Sequence, residues 1–229
     1  VYAGAPDFSL RTTAETSVED LQTGAKLLHE AGKKLYLTLN VYSHNSDFEK
    51  IGDTLKTLRQ INPDGLIISD PGIFDFVAEN YPEVERHIST QASTCSYRSV
   101  QFWEKLGASL VVLGRETTFA ETQEIIQKCP NTRIEMFVHG AMCMSYSGRC
   151  LLSSFMTGRS ANRGACAQPC RWKYKLHDVK VSGLMVEEQR PDEYFPIEED
   201  EHGSYIMSSR DLCLMEELPQ ILDAGVASL

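Results

Sequence analysis

The sequence lacks the features of a membrane or exported protein. It contains no run of about 18 apolar residues, which excludes a transmembrane helix. Its first residues, VYAGAPDFSLR, hold neither a basic segment nor an apolar signal core, so nothing in them indicates export. The chain also begins without Met and stops at GVASL, at the start of a predicted strand. We therefore expect a fragment truncated at both ends, from a cytoplasmic protein.

Several catalytic motifs are also missing. No G-x-G-x-x-G follows the first predicted strand, which weighs against a dinucleotide-binding domain. Neither H-E-x-x-H nor G-x-S-x-G occurs, so the common metallopeptidase and serine hydrolase signatures are absent. A nucleophilic Cys–His pair stays open as an alternative, because its partners need not be adjacent in sequence.

Gly and Pro are scarce, at 15 and 9 of 229 residues, and apolar residues make up 42%. This composition is typical of a soluble globular protein with a sizeable core. The formal net charge of −10 argues against non-specific binding of nucleic acid. The acidic residues are unevenly placed, however, and eight of them form a block: Glu187, Glu188, Asp192, Glu193, Glu198, Glu199, Asp200 and Glu201.

The first two-thirds of the chain alternates short β-rich runs with amphipathic helical stretches. The predicted strands, besides VYAG at the start, are Leu35–Val41, Gly65–Ser69, His87–Gln91, Leu110–Leu113 and Arg133–Val138. The predicted helices are Val18–Ala31, Phe48–Ile61, Ile73–Asn80, Tyr97–Leu106 and Phe119–Cys129. Such alternation predicts βαβ units and an α/β fold with a parallel sheet.

With GVASL the chain offers seven strands, and an incomplete TIM-like (β/α) barrel fits them better than an open doubly wound sheet. The predicted organisation is a set of barrel βα units over 1–140 and a cysteine-bearing insertion over 141–205, after the sixth strand. Residues 206–229 then return to the barrel through a helix predicted at Ser209–Ala224.

Polar residues follow five of the predicted strands. In a (β/α) barrel the carboxyl ends of the strands form the rim where chemistry gathers, so we predict catalytic or substrate-binding roles for them. They are Asn40, Asp70, Gln91, Arg115 and His139. Asp70 has an alternative role as the cap of the next helix. His139 is the natural general acid or base, because histidine titrates near neutral pH.

The stretch Glu135–Trp172 carries four of the seven cysteines, spaced C-x6-C-x15-C-x3-C. Without an export signal, clustered cysteines indicate metal binding or redox chemistry in a reducing compartment. The spacing lacks the C-x2-C knuckles of structural zinc sites and favours a [4Fe–4S] cluster held by Cys143, Cys150, Cys166 and Cys170. Four unligated thiols are the alternative. Cys95 and Cys129 are expected in the core, and Cys213, on the predicted helix, is the substitute ligand.

Between Arg149 and Lys175 the chain has six Lys or Arg and no acidic residue. These charges are predicted to face the anionic cluster, or else to contact the phosphates and bases of RNA under the function that the family resemblance described next implies. The residues predicted at a nucleic-acid interface are Arg149, Arg159, Arg163, Arg171, Trp172 and Lys173.

The run HGAMCMSYSGRCLLSSF resembles the signature of the collagenase-like peptidase family, whose catalytic type is unassigned. The resemblance continues through RGACAQPCRWKY and EEQRPDEYFPIEEDEHGSYIMSSRDL, and it includes VYAG, SDPG and STQAS, so it covers nearly the whole chain. It is greatest to the branch of tRNA hydroxylation proteins.

The resemblance implies a TIM-barrel-like domain with a [4Fe–4S] cluster on Cys143, Cys150, Cys166 and Cys170. It also implies prephenate-dependent formation of 5-hydroxyuridine at the wobble position in the anticodon loop of tRNA. Arg115 would bind a carboxylate of prephenate. Two alternatives remain: a collagenase-like peptidase, and a non-catalytic iron–sulfur partner of another protein in a hydroxylation pathway such as ubiquinone biosynthesis.

Overall fold

The computed structural model describes most of the chain. The described residues are 1–9, 16–140, 143, 145–146, 149–161, 165–172, 184–187, 190–196, 198–200, 203–205 and 211–229. Of the helices in these ranges, none is both long enough and apolar enough to cross a membrane.

Six short parallel strands form the central sheet, and each pairs with the strand that precedes it in the sequence. They are β1 (Tyr2–Gly4), β2 (Tyr36–Leu39), β3 (Gly65–Ile68), β4 (Glu85–Ile88), β5 (Leu110–Val112) and β6 (Arg133–Glu135). A doubly wound sheet reverses its strand order at a switch point, whereas a (β/α) barrel does not. The observed order therefore confirms the TIM-like prediction.

A helix follows each of the first five strands: α1 (Val18–Glu30), α2 (Phe48–Ile61), α3 (Pro71–Asn80), α4 (Tyr97–Lys105) and α5 (Phe119–Lys128). Thr118 and Glu121 form a capping box at the start of α5, and the Ser17 hydroxyl caps α1. Gly107, at the end of α4, has a φ of +90°, a conformation that residues with a Cβ rarely adopt.

The ends of the sheet curl toward each other, as in a barrel. Ser228 forms a parallel bridge with Glu135, so the last residues of the chain lie beside β6 as the predicted seventh strand. The Tyr2 hydroxyl on β1 donates a hydrogen bond of 2.6 Å to Oε2 of Glu135 on β6. Burial and the Glu135 carboxylate raise the pKa of Tyr2 to about 12. The two outer strands of the six-stranded sheet are thus joined through side chains.

Two sequence predictions are corrected by the structure. Leu212–Cys213 is a strand, β12, and the helix α7 covers only Leu218–Asp223, so the helix predicted at Ser209–Ala224 is too long. The cause is Pro219, which is accepted in the first turn of a helix but not in its interior. The predicted strand His87–Gln91 is displaced, because β4 ends at Ile88 and the Ser89 hydroxyl caps a short 3-10 turn at Thr90–Ala92.

After β6 the chain forms several small elements. Strand β7 (His139–Gly140) pairs antiparallel with β12, and α6 (Leu152–Thr157) lies in the cysteine segment. Two antiparallel strand pairs follow: β8 (Leu184–Glu187) with β9 (Arg190–Pro196), and β10 (Glu198–Asp200) with β11 (Gly203–Tyr205). Six residues of the acidic block lie in these strands, and Glu188 and Glu201 lie outside the described residues. The sequence predicted irregular and β-like structure in this region.

Polar side chains lie near the amino-terminal ends of the strands, opposite the rim formed by their carboxyl ends. His87 is 1% exposed, and its ring centroid lies 4.8 Å from that of Tyr36. Nε2 of His87 lies 2.9 Å from Oε2 of Glu85, which also accepts a hydrogen bond from Arg133. Burial lowers the pKa of His87 despite the opposing effect of Glu85. The imidazole is therefore neutral, and its Nε2–H donates to the carboxylate.

We expect the free energy of unfolding to decrease as the pH is lowered from 7 to 5. The folded state holds the pKa of His87 below its unfolded value of about 6.5. In that window the unfolded chain binds more protons, so acid favours unfolding. Glu85 acts in the same direction at lower pH, because the hydrogen bonds of His87 and Arg133 outweigh partial burial and lower its pKa.

Urea unfolding at a series of pH values measures this slope. A His87→Gln variant should show a flatter dependence between pH 7 and 5. Equal slopes in the wild type and His87→Gln would contradict the assignment to His87.

Candidate active site at the carboxyl rim

The structure brings the five predicted rim residues to one edge of the barrel. Asn40, Asp70, Gln91 and Arg115 are half-buried beyond the ends of consecutive parallel strands, β2 to β5. His139 is exposed and begins β7, shortly after β6. Because the carboxyl ends of parallel strands meet at one edge, these residues lie on a common rim.

Gln91 is held by hydroxyl groups from two neighbouring strand ends. Its Oε1 accepts hydrogen bonds from Ser69 Oγ at 2.9 Å and from Ser89 Oγ at 3.4 Å. An amide has both acceptor and donor groups, and these contacts fix which side carries the acceptor. The Nε2 donors therefore face away from the two serines. Such an oriented amide is suited to bind a carbonyl oxygen of a substrate.

Tyr42, two residues beyond Asn40, joins this rim to the cysteine segment. Its hydroxyl donates to the backbone oxygen of Gln91 at 2.6 Å. Arg149 Nη2 lies 3.5 Å from the same hydroxyl, and the guanidinium carbon lies 5.9 Å from the centroid of the Tyr42 ring. The residue after Arg149 is Cys150. The segment is thus in contact with the barrel beside Gln91.

Asp70 has a structural role at the start of α3. Its Oδ1 accepts the Ile73 amide at 2.9 Å, and its Oδ2 accepts the Ser43 amide at 3.3 Å. These contacts match the capping alternative, and they also fasten the loop after β2 to the loop after β3. A catalytic role for Asp70 stays a prediction.

Arg115 lies over an aromatic ring. Its guanidinium carbon is 4.3 Å from the centroid of Phe137, and both residues line a narrow cleft with Leu212 and Leu214. Stacking of this kind holds the guanidinium plane while leaving its edge able to donate hydrogen bonds. Binding of a carboxylate by Arg115 stays a prediction.

Cys213 is placed differently from the prediction. It lies on β12, directly opposite His139 on β7, instead of on a helix. Directly opposed residues of an antiparallel pair have Cβ atoms about 4.5–5.5 Å apart. A thiol and the predicted general acid or base therefore adjoin at the rim. The order of the residues in the chain gave no indication of this proximity.

The two halves of the cysteine segment are tied together around a buried serine. Ser153 of α6 accepts the Ala167 amide at its Oγ, at 3.0 Å. The Ala167 oxygen in turn accepts the indole Nε1–H of Trp172 at 2.9 Å. These bonds hold the chain near Cys150 against the chain between Cys166 and Cys170.

The thiols have surroundings that suit negatively charged sulfur. Cys150 Sγ accepts the Leu152 amide, and Cys166 Sγ accepts the Gln168 amide, each at 3.4 Å. Backbone N–H groups aimed at sulfur stabilise a thiolate and tune iron–sulfur clusters. None of the seven cysteines, all within the described ranges, is in a disulfide. By donor type, the four cysteines of the segment fit a [4Fe–4S] cluster.

The described side chains do not converge on a metal. Among them, no group of three or more His, Cys, Asp or Glu is placed to hold one ion. The predicted ligand set therefore rests on the chemistry of the donors and on their order in the chain. It stays a prediction.

The predicted nucleic-acid interface is described in part. Arg149, Arg159 and Trp172 are exposed. Arg163, Lys173 and the Arg171 side chain lie outside the described part of the chain. Phe155, on α6 between Arg149 and Arg159, is 85% exposed, which its apolar residue type did not predict. An exposed aromatic ring among cations is a feature of surfaces that stack unpaired bases.

The profile of peptidase family U32 matches residues 1–229. The tRNA hydroxylation protein P of Escherichia coli is 38% identical over the whole chain, which covers 57% of that protein. The tRNA hydroxylation protein P1 of Bacillus subtilis is 37% identical, with 52% of its length covered. The 23S rRNA 5-hydroxycytidine C2501 synthase of Escherichia coli is 34% identical, with 32% covered.

The chain thus spans little more than half the length of the first two relatives. Among solved structures, that of the U32 peptidase Mk0906 is similar in fold. The TM-score is 0.53 at 12% identity, and the alignment covers 62% of this chain and 61% of that one.

Proposed function

The chain belongs to peptidase family U32, and from that premise we propose that it is part of an RNA-hydroxylating enzyme. The proposed substrate is the wobble uridine of tRNA, the product is 5-hydroxyuridine, and prephenate is the co-substrate. Support comes from the names of the relatives, two of which refer to tRNA hydroxylation and one to a hydroxylated cytidine of rRNA. In all three names the chemistry is hydroxylation of a pyrimidine or of tRNA.

The observation that carries the proposal is the contact between Arg149 and Tyr42. It sets the first part of the cationic cysteine segment against the rim, next to the oriented amide of Gln91. A modifying enzyme needs an RNA-attracting surface beside its reactive groups, since the target base must reach both at once. A peptidase has no comparable need for a cationic surface with exposed aromatic rings.

The cluster ligands in this proposal are Cys143, Cys150, Cys166 and Cys170. A bound [4Fe–4S] cluster supplies either an electron-transfer centre or a structural cross-link of the segment. The chain itself contributes amide N–H groups to Cys150 and Cys166 and the positive charge of Arg149. These features offset the negative charge that four thiolates bring.

The rim residues bind substrate and move protons. The Nε2 donors of Gln91 are suited to a carbonyl oxygen of uracil, and Asn40 lies beyond β2, two strands away in the sheet. Arg115, stacked on Phe137, binds a carboxylate of prephenate. His139 is exposed and accepts or returns a proton at its imidazole. Arg159 and Trp172 contact the anticodon loop, where bases are already unpaired.

Nucleoside mass spectrometry tests the proposal. Cells that lack their own tRNA uridine hydroxylation should regain 5-hydroxyuridine derivatives when they express the gene that encodes this chain. Gln91→Glu keeps an acceptor for the two serines but removes the amide donors. We expect it to lower the modified fraction tenfold or more, about the contribution of one hydrogen bond.

Gln60→Glu, on the exposed surface of α2, is the matched control and should retain full modification. Failure of the wild-type gene to restore the nucleoside would contradict the proposed function. Unchanged modification in Gln91→Glu would remove Gln91 from the site while leaving the reaction in place.

A further inference from the structure

A second polar site lies on the same side of the barrel, behind the turn that carries Gln91. A cavity of about 310 Å³ opens between this turn and the first turn of α4. Its wall includes Ser93, Thr94, Arg98, Ser99 and Phe102, and no acidic side chain is among the described residues that line it. A volume of this size accommodates a small ligand.

Two hydroxyl groups in this wall lack hydrogen-bond partners among the described residues. They are Oγ of Ser93 and Oγ1 of Thr94, and Thr94 is only 1% exposed. Buried hydroxyls are normally paired, because leaving one unpaired costs free energy. Two adjacent unpaired hydroxyls, on residues that line one cavity, are therefore available to a group that supplies acceptor atoms.

Further donors come from α4 itself. The helix has nine residues, from Tyr97 to Lys105, so its amino end is a developed partial positive charge. The Ser96 hydroxyl accepts the Ser99 amide, while the first two amides of a helix have no acceptor within it. Arg98 is exposed and forms no ion pair with any described carboxylate.

We propose that this cavity binds a phosphate group. The hydroxyls of Ser93 and Thr94, the first amides of α4 and the Arg98 guanidinium together give more donors than the two oxygens of a carboxylate require, whereas a phosphate offers three or four oxygens. Phe102, whose ring is more than half exposed, provides an apolar wall for whatever carries the phosphate.

The phosphate belongs either to the RNA chain or to a phosphorylated small molecule. The RNA source rests on the proposed function. It would place a backbone phosphate close to Gln91, because Ser93 and Thr94 follow Gln91 by only two and three residues. A phosphate held there fixes the register of the nucleotide strand while leaving base recognition to the rim.

Thermal unfolding in sodium phosphate, against sodium chloride of equal ionic strength, tests the site. Phosphate should raise the melting temperature of the wild type. The shift should vanish in Arg98→Gln and fall by at least half in Thr94→Val. Arg59→Gln, which changes an arginine of α2 paired with Glu83, should keep the full shift.

Thr132→Val is the second control, because Thr132 is another buried threonine with an unpaired hydroxyl but lies before β6, at the opposite end of the barrel. Both valine variants should be at least as stable as the wild type without phosphate, since each removes an unpaired hydroxyl. Of the two valine variants, only Thr94→Val should then show a smaller phosphate shift, and that difference reports on binding. No phosphate shift in the wild type, or the same shift in all five proteins, would overturn the proposal.

Binding of a fluorescent anticodon stem–loop identifies the source. If inorganic phosphate competes with the RNA, and Arg98→Gln weakens RNA binding roughly tenfold or more, the RNA backbone supplies the phosphate. If RNA binding is unchanged while the phosphate shift is lost, a small molecule supplies it. Absence of 5-hydroxyuridine formation by the wild type would contradict only the proposed function, since the phosphate shift is measured without RNA.

Discussion

Changing Cys166 to Ser is expected to remove most of the iron from the protein and to reduce 5-hydroxyuridine formation to background. Serine keeps the size of the side chain but removes the thiolate that a [4Fe–4S] cluster requires. The amide of Gln168, which is directed at this sulfur, would then face a neutral hydroxyl. Iron content and visible absorbance of anaerobically purified protein measure the effect directly, with about four irons per chain expected for the wild type.

Cys129→Ser is the matched control for the thiol. Cys129 is buried at the end of α5, where it lies 3.5 Å from the Tyr97 oxygen, and burial raises its pKa, so it stays a protonated thiol. This variant should retain iron and activity. Cys213→Ser should also retain iron, while any loss of activity would report on its position opposite His139. Full iron in Cys166→Ser, or a colourless wild type with one zinc, would refute the ligand assignment.

Changing Leu66 to Ala should lower the free energy of unfolding by about 2–5 kcal/mol, a typical cost for a truncated core leucine. Leu66 lies in β3 between β2 and β4 and is fully buried. Removing its branched end leaves a cavity that the paired strands on both sides cannot close. For a chain of this size the melting temperature should fall by roughly 5–20 °C.

Leu27→Ala is the comparison, because it makes the same chemical change in α1 at a leucine that is 62% exposed. Its effect should stay within about 0.5 kcal/mol. Calorimetry or urea unfolding of both variants gives the difference. Similar losses in the two proteins would mean that β3 does not form the centre of the core.

The barrel could be predicted from sequence because its signals are local. Continuous apolar strands such as Leu110–Val112 and capping residues such as Thr118 act within a few residues of chain. The rim was predictable for a related reason, since parallel strands bring their carboxyl ends together whatever the loops do. The helix predicted over Ser209–Ala224 failed where a proline interrupts a periodic pattern.

The contacts that assemble the site carry no local signal. Tyr42 and Arg149 are 107 residues apart, and neither residue type at its position indicates the other. The same is true of Cys213 and His139, whose adjacency depends on the antiparallel pairing of β7 with β12. Residues that interact through tertiary packing alone can be found only once the strands are placed.

The sequential order of the strands also affects how the protein is made. Each strand from β2 to β6 finds its partner in the strand synthesised just before it, so the sheet can grow by one strand at a time as the chain leaves the ribosome. Neighbouring partners keep each closed loop short and its entropy cost low. The hydrogen bond from Tyr2 to Glu135 spans 133 residues and must form late. The residues that form the rim around Gln91 are therefore all synthesised before the cysteine segment that contacts them through Arg149.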